Sequence, residues 1–441
     1  MTADERAKVL SILRNVGLLP VRSRAVNRVC FKASAVFNAD TPPRAMLKMF
    51  AGLRIAKATV HITTSNAFGE VFAAIQRTAA WNDVLHLTLF VHCTENVPTV
   101  LPAHLRSLTV IDMETDVRRR EYSSAADGEE DGTEGIAGTE DGGIDEGGSF
   151  LDPNEDDVFW DWELPGLPRS LAHLALSRCG INNVDGIHND LETLSVGPRY
   201  TGSLGALPAA LRKLCIGGHF EAPLGGLPAG LTHLTCFKTI QGCDFAAPLG
   251  PLPASLQVLD LSDCHMFNHP LPIPCGLRVL RLGSEFNQPL GVLPASLEVL
   301  EFLDWSEFNR PLGRLPDALR VLTTGKYFTE ALEQLPVGLR FLEVGPSYNH
   351  PLAPLPEGLT NLRVLSDSYA QPLAPLPHSL SYLQISSDEC EHAGMPSPPH
   401  RIPYPHDLKP LPQLLETAIV SSHYQYLDAF SERGIRVLHR T

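Results

Sequence analysis

A single phrase recurs along the chain about every 20 residues: an aromatic, then Asn-x-Pro-Leu-Gly-x-Leu-Pro, then Leu-x-x-Leu-x-Leu. Its clearest copy runs Phe286-Asn287-Gln288-Pro289-Leu290-Gly291-Val292-Leu293-Pro294, followed by Leu297, Leu300 and Phe302, where Phe keeps the last position apolar. A fixed period of this size means small coils that bury their apolar sides only against one another, so the chain must build a stack with a continuous core. Regular coils begin at Trp160, Tyr200, Phe220, Phe245, Phe267, Phe286, Phe308, Phe328, Tyr348 and Tyr369, with a degenerate one near Gly180. The Leu of each Leu-Pro recurs at 167, 207, 227, 252, 293, 315, 335, 355 and 376, with Ile187 and Ile273 filling the gaps.

In Leu-x-x-Leu-x-Leu the last two leucines lie two apart, so in a strand they face the same side. Stacked coils then form a parallel sheet rising about 4.8 Å per coil, roughly 50 Å for the predicted coils. The two prolines lack an N–H and disfavour helix, so the return half of each coil reads as turns and extended chain. Gly in Pro-Leu-Gly and after the strand (Gly217, Gly283, Gly325, Gly345) suits tight turns. The expected fold class is mainly β, a leucine-rich-repeat-like solenoid with a parallel sheet and a small helical N-terminal cap. The aromatic is expected to fill one end of each coil's core.

These residues resemble the FNIP repeat, a leucine-rich-repeat relative. The resemblance is carried by Phe267-Asn268-His269-Pro270, Phe286-Asn287-Gln288-Pro289, Phe308-Asn309-Arg310-Pro311 and Tyr348-Asn349-His350-Pro351. It covers about half of the chain. Thr329, Ala331 and Ala370 depart from the pattern, which predicts an interrupted Asn ladder. The resemblance implies a binding scaffold and allows an N-terminal F-box, which would imply a Skp-type adaptor as partner. Val9, Leu10, Ile12, Leu13, Leu19, Pro20, Val26, Val29 and Cys30 are loosely similar to that module, although no Leu-Pro precedes the first helix and Phe31-Lys32 follows where the module has a Trp soon after. The same residues also read as a plain helical cap.

The remaining segments divide as follows. Residues 1–35 form the helical cap, with a first helix over 5–17 and a second from Val21 to about Ala35. Residues 36–112 read as divergent coils, with strands at 85–91 and 105–111. Residues 113–159 read as a disordered acidic insertion, rich in Gly, with too little apolar surface to offset the entropy of ordering it. The regular solenoid spans 160–386. Residues 387–441 hold a Pro- and His-rich loop and a closing cap, with a helix from Tyr424 to Arg433 stopped by Gly434.

The formal charge of −15 is concentrated: residues 121–163 carry 16 acidic side chains and no Lys or Arg, and the rest holds 34 acidic against 35 basic residues. A nearly neutral folded part shows neither a nucleic-acid footprint nor a basic membrane patch. Nine scattered cysteines without a Cys-x-x-Cys favour a reducing compartment. With no long apolar N-terminal run, a cytoplasmic or nuclear protein is expected.

Catalytic motifs are absent: there is no Gly-x-Ser-x-Gly, His-Glu-x-x-His, phosphate loop or dinucleotide fingerprint, so no cofactor or metal is implied. Cys390, His392, His400 and His406 lack ligand spacing. An enzyme would have to place its site in 36–112 or in the loop 386–410.

With the leucines inward, the residues between them form two outward columns. The first reads His173, Thr193, Lys213, His233, Val258, Val279, Val299, Val321, Phe341, Asn361, Tyr382, with five consecutive apolar members. The second reads Asp260, Arg281, Glu301, Thr323, Glu343, Arg363, Gln384. The apolar run reads either as β-branched residues suited to a pleat or as a strip for a protein partner. The charges read either as cross-strand pairs or as groups that set a partner's register. Val258, Val279, Val299, Val321, Phe341 and Tyr382, with Asp260, Arg281, Glu301, Glu343 and Arg363, are the candidate binding residues.

Overall fold

The computed structural model describes residues 34–37, 57–62, 73, 75–77, 79–91, 98–112, 166–177, 187, 190–197, 204–217, 220, 224–237, 245–366, 369–385, 404–421 and 424–440. The expected cap and F-box-like residues before 34, the acidic insertion 113–159 and the loop 386–403 fall outside these. The described chain is mainly β, with parallel pairing throughout, and divides into two compact units whose boundary falls within β5 (His173–Ser177).

In the first unit β1 (Ser34–Phe37), β2 (Lys57–Ile62), β3 (His86–Val91) and β4 (Ser107–Asp112) pair in chain order, each parallel to the next. The second helix expected to reach Ala35 therefore gives way to strand at Ser34. A short helix, α1 (Ala79–Asn82), seats Trp81, fully buried, whose indole N–H donates to the Val100 carbonyl at 3.1 Å. Strand β3 alternates exposed and buried, with Leu87, Leu89 and Val91 inward.

In the second unit the ladder runs from β6 (Thr193–Val196) through β7 (Lys213–Gly217), β8 (His233–Phe237), β9 (Val258–Leu261), β10 (Val279–Leu282) and β11 (Val299–Phe302). It continues through β12 (Val321–Thr323), β13 (Phe341–Val344), β14 (Asn361–Val364) and β15 (Tyr382–Ile385). Leucine pairs with leucine at every step, as in Leu280 with Leu259 and Leu300. Register is fixed because a slip by one residue would expose every buried leucine.

The ladder extends two coils past the regular repeats. Strand β16 (Thr417–Ser421) pairs with β15, and β17 (Arg436–Arg440) pairs with β16. Between them the expected helix 424–433 contracts to α2 (Asp428–Ser431), because Tyr424 belongs to a repeat core instead of a helix face.

Strands β4, β5 and β7 to β16 are preceded by the same turn, in which the Leu N–H donates to the Pro carbonyl three residues earlier, as in Leu297 to Pro294 and Leu319 to Pro316, both 3.0 Å. Glycines of Pro-Leu-Gly sit at positive φ, 67° at Gly291 and 63° at Gly313, where a Cβ is disfavoured. Between Pro and Leu stands a small residue. Where it is Ser, its hydroxyl brackets the preceding coil: Ser296 Oγ donates to the Cys275 and Leu277 carbonyls at 2.9 and 2.7 Å, and Ser255 Oγ to those of Ala229 and Leu231 at 2.7 and 2.6 Å. At Gly230, Gly338 and Gly358 an Arg takes over, as Arg320 and Arg340 donate to the Gly338 and Gly358 carbonyls at 2.9 and 2.8 Å.

Opposite the leucines runs an aromatic spine: Phe220, Phe245, Phe267, Phe286, Phe308, Phe328, Tyr348, Tyr369, Tyr404 and Tyr424. Successive centroids lie 6.1–6.4 Å apart with near-parallel planes, an offset stack. The Tyr404 hydroxyl accepts from the Leu373 N–H at 3.0 Å and donates to the Gln371 carbonyl at 3.2 Å. Those of Tyr348 and Tyr369 are buried and approach the backbone at Leu332 and Leu352 without completing a hydrogen bond. Burial pushes both phenols above their ordinary value.

The Asn after each aromatic accepts from the backbone of the next coil: Asn287 N–H to Asn268 Oδ1 at 3.0 Å, Asn309 to Asn287 at 3.1 Å, and Thr329 to Asn309 at 2.9 Å. Thr329 and Ala370 receive such support from Asn309 and Asn349 but hold no Asn carbonyl to pass on, so the Asn pattern is interrupted there.

Candidate functional site

The inward leucines leave the alternate residues of each strand on the other side of the sheet, and both expected columns stand there in register. Val258, Val279, Val299, Val321 and Phe341 are consecutive Cα partners from β9 to β13, and Asn361 and Tyr382 continue the row. All seven are half-buried, beside leucines that are fully buried. The structure therefore assembles the apolar row into one contiguous strip.

The second column pairs with itself. Arg281 bridges two coils, donating to Asp260 at 3.2 Å and to Glu301 through a short contact. The hydrogen bond that Arg281 donates to Glu301 is the main influence that holds its guanidinium above its ordinary value, against the opposing effect of burial. Thr323 separates this trio from a second one, in which Arg363 donates to Glu343 through a short contact and to Gln384 Oε1 at 3.1 Å. Tyr382 hydroxyl also donates to Gln384, at 3.0 Å. The cross-strand pairing is thus present, and each outward Arg is already committed to carboxylates of its own sheet.

Two members depart from the expectation of exposed charge. Glu343 is only 4% exposed and Gln384 is fully buried, because Arg363 and the neighbouring coils close over them. Burial pushes the Glu343 carboxyl above the usual glutamate range, opposed by the Arg363 guanidinium and assisted by the charges of Asp304 and Glu301. With the folded value above the unfolded one, this carboxyl contributes stability that is present at low pH and is lost as pH rises from the ordinary glutamate value through the raised folded value. Glu343→Gln is expected to melt no lower than the native chain at neutral pH, and the native chain should gain on it as pH falls to about 4. Thermal midpoints across that range check this; a Gln variant that is less stable at neutral pH than at low pH, relative to the native chain, contradicts it.

Toward the N-terminal end of this unit the face turns polar. His233 sits beside Lys213 in register, and burial, then the Lys213 charge, lower its pKa below the ordinary histidine value. Cys215 Sγ and Thr235 Oγ1 meet at 2.6 Å.

Sequence reasoning missed the loops that follow the strands. Trp305 is 55% exposed with Lys326 Nζ 4.0 Å from its ring centroid, and Tyr327 and Met266 are 47% and 50% exposed. The signal was available: the coil of β11 carries Leu303-Asp304-Trp305 where its neighbours hold small residues.

For an enzymatic or metal site the described residues offer little. No group of three metal-binding side chains occurs among them. His406 packs edge-on against Tyr404 and bonds to the Ala370 carbonyl at 2.9 Å, while Cys390, His392 and His400 lie outside the described residues. Among the described residues no helix is long and apolar enough to cross a membrane.

Parallel coils with an inward leucine ladder define a leucine-rich-repeat-like β-solenoid, a repeat protein. Within it, residues 267–304, which hold β10, β11 and the Phe267 and Phe286 coils, match the family model described as FNIP Repeat. Among solved structures the chain is similar to CroV588, described as a novel circular LRR protein, at 21% identity and a TM-score of 0.47, over 84% of this chain and 53% of that one. The chain thus spans about half the length of that structure. No curated protein matches the sequence.

Proposed function

We propose that this protein is a non-enzymatic interaction scaffold that binds another protein on the outward face of its sheet, over Val258, Val279, Val299, Val321, Phe341 and Tyr382. The observation that carries the reading is the contiguous half-buried strip from Val258 to Phe341: solvent-accessible apolar side chains aligned over five coils mark a surface for association. Asp260, Arg281, Glu301 and Arg363 flank it with fixed, mutually paired charges, a rigid polar rim that sets a partner's register. Glu343 acts beneath this rim by holding Arg363. The free cysteines Cys215, Cys236, Cys264 and Cys275 suit a cytoplasmic or nuclear setting.

A more specific form makes the chain the substrate-recognition subunit of a ubiquitin ligase, docking a Skp-type adaptor through residues 1–35, supported by the F-box-like spacing of Val9 to Cys30. One affinity capture on the full chain separates the two levels. Val299→Glu with Phe341→Glu should abolish capture of the face-bound partner while the protein keeps its β circular dichroism. Deletion of 1–35 should release only the adaptor. Unchanged capture by the folded double variant ends the scaffold reading, and an adaptor that is absent or survives the deletion ends the ligase form alone.

A further inference from the structure

We propose that the partner segment seated on this face is basic: an extended stretch of a protein in which aliphatic residues alternate with arginine or lysine. The inference rests on the scaffold reading and adds the chemistry of the occupant.

Charge is distributed unevenly across the face. Over the strands β9 to β12 and the loops that follow them, residues 258–266, 279–285, 299–307 and 321–327, the chain places six carboxylates against two cations, Arg281 and Lys326. Asp260 and Glu301 are spent on Arg281, and Glu285, Asp304 and Glu307 line the loops beside Lys326. Glu285, Asp304 and Glu307 are exposed. On the opposite edge, just before the strands, stand Arg212, Arg278, Arg320 and Arg340. These are engaged locally: Arg278 with Glu298, the others with glycine carbonyls of the next coil. The negative field therefore belongs to one edge of the apolar strip.

The loops of that edge are a continuous surface. Glu285 N–H donates to the His265 carbonyl at 3.0 Å, Glu307 to Ser284 at 2.6 Å, and Tyr327 to Ser306 at 3.3 Å, so Met266, Glu285, Glu307 and Tyr327 form one exposed row. Trp305 stands out of it with Lys326 already at its ring, showing that this indole accommodates a cation. Exposed Trp and Tyr are the side chains that most often anchor an interface. An apolar strip, an acidic border and a cation-binding indole together fit a segment whose aliphatic side chains lie on the valines and whose cations reach the border. An acidic segment, a polyanion or an anionic membrane would meet like charge there.

The test uses the full chain and two labelled peptides, one alternating Val and Arg, the other alternating Val and Glu, followed by fluorescence anisotropy. The Arg peptide is expected to bind at least about tenfold more tightly than the Glu peptide and to weaken as salt is raised. Trp305→Ala, and separately Asp304→Asn with Glu307→Gln, each at exposed positions that leave the core intact, should weaken it by about tenfold. Equal affinity for the two peptides, or unchanged affinity in both variants, overturns the inference. If Val299→Glu with Phe341→Glu loses the captured partner while the Arg peptide fails to bind, the basic occupant is wrong and the scaffold stands. If the Arg peptide binds as expected while that double variant still captures the partner, the acidic border stands as a site in its own right and the apolar strip does not.

Discussion

Phe308→Ala should cost about 3–5 kcal/mol, the range for truncating a buried aromatic in a core that cannot collapse around the gap. Phe308 has no exposure, stacks on Phe286 and Phe328 at 6.2 Å, and lies 4.2 Å from Phe302 by ring centroids. Its backbone is pinned by an N–H to Ser306 Oγ bond, so the coil is not free to close over the space. In a solenoid each coil is stabilised only by its neighbours, so the loss falls on the two interfaces that β11 makes, with β10 and β12. The unfolding transition should therefore shift downward and also broaden or split as the array uncouples at this coil. Phe308→Leu should recover part of the loss by refilling the volume. Thermal and urea unfolding followed by circular dichroism read both effects, and an Ala variant that unfolds with the native chain would mean the spine contributes no cohesion.

Gly345→Ala tests close approach in the post-strand turns, with an expected cost of about 3 kcal/mol or more for forced overpacking. A Cβ there would lie 2.1 Å from the Gly325 carbonyl oxygen and 2.7 Å from its carbon, both backbone atoms of the preceding coil. No rotamer change relieves such a clash; β12 and β13 would have to part. Gly291→Ala is the contrast. Nothing lies within 4 Å of its Cβ position, and its φ of 67° alone should cost about 1–2 kcal/mol. If the two variants unfold alike, the spacing of adjacent coils is not what Gly345 protects.

These two glycines also show where sequence reading reached its limit. Both were read as turn glycines. Gly291 is one by its positive φ, whereas Gly345 is required by a neighbour 20 residues away in the chain. The small residue between Pro and Leu was visible as Ser296 or Gly338, but its use, a hydroxyl bracket or an Arg bridge onto the adjacent coil, involves carbonyls that meet it only through stacking. Tyr404 and Tyr424 escaped the repeat count because the residues around them lack the Leu-Gly phrase, although their rings continue the spine.

The candidate face divides in the same way. Its two columns follow from alternation within Leu-x-x-Leu-x-Leu, so membership of Val258, Val279, Val299, Val321 and Phe341 needed no coordinates. Whether Glu343 faces water did. Its near-complete burial, with the charges of Arg363, Asp304 and Glu301 acting on it from other coils, is a local arrangement that no periodicity encodes.

The sequence by itself determined the coil, its inward leucines and its parallel neighbours, because a fixed period with paired apolar positions admits one register in which all of them are dry. The tertiary structure alone decided which charges cancel, which stay exposed beside Trp305, and where no side chain can fit. Those outcomes depend on distances between atoms about a full coil apart in the chain, and stacking, not local propensity, sets such distances.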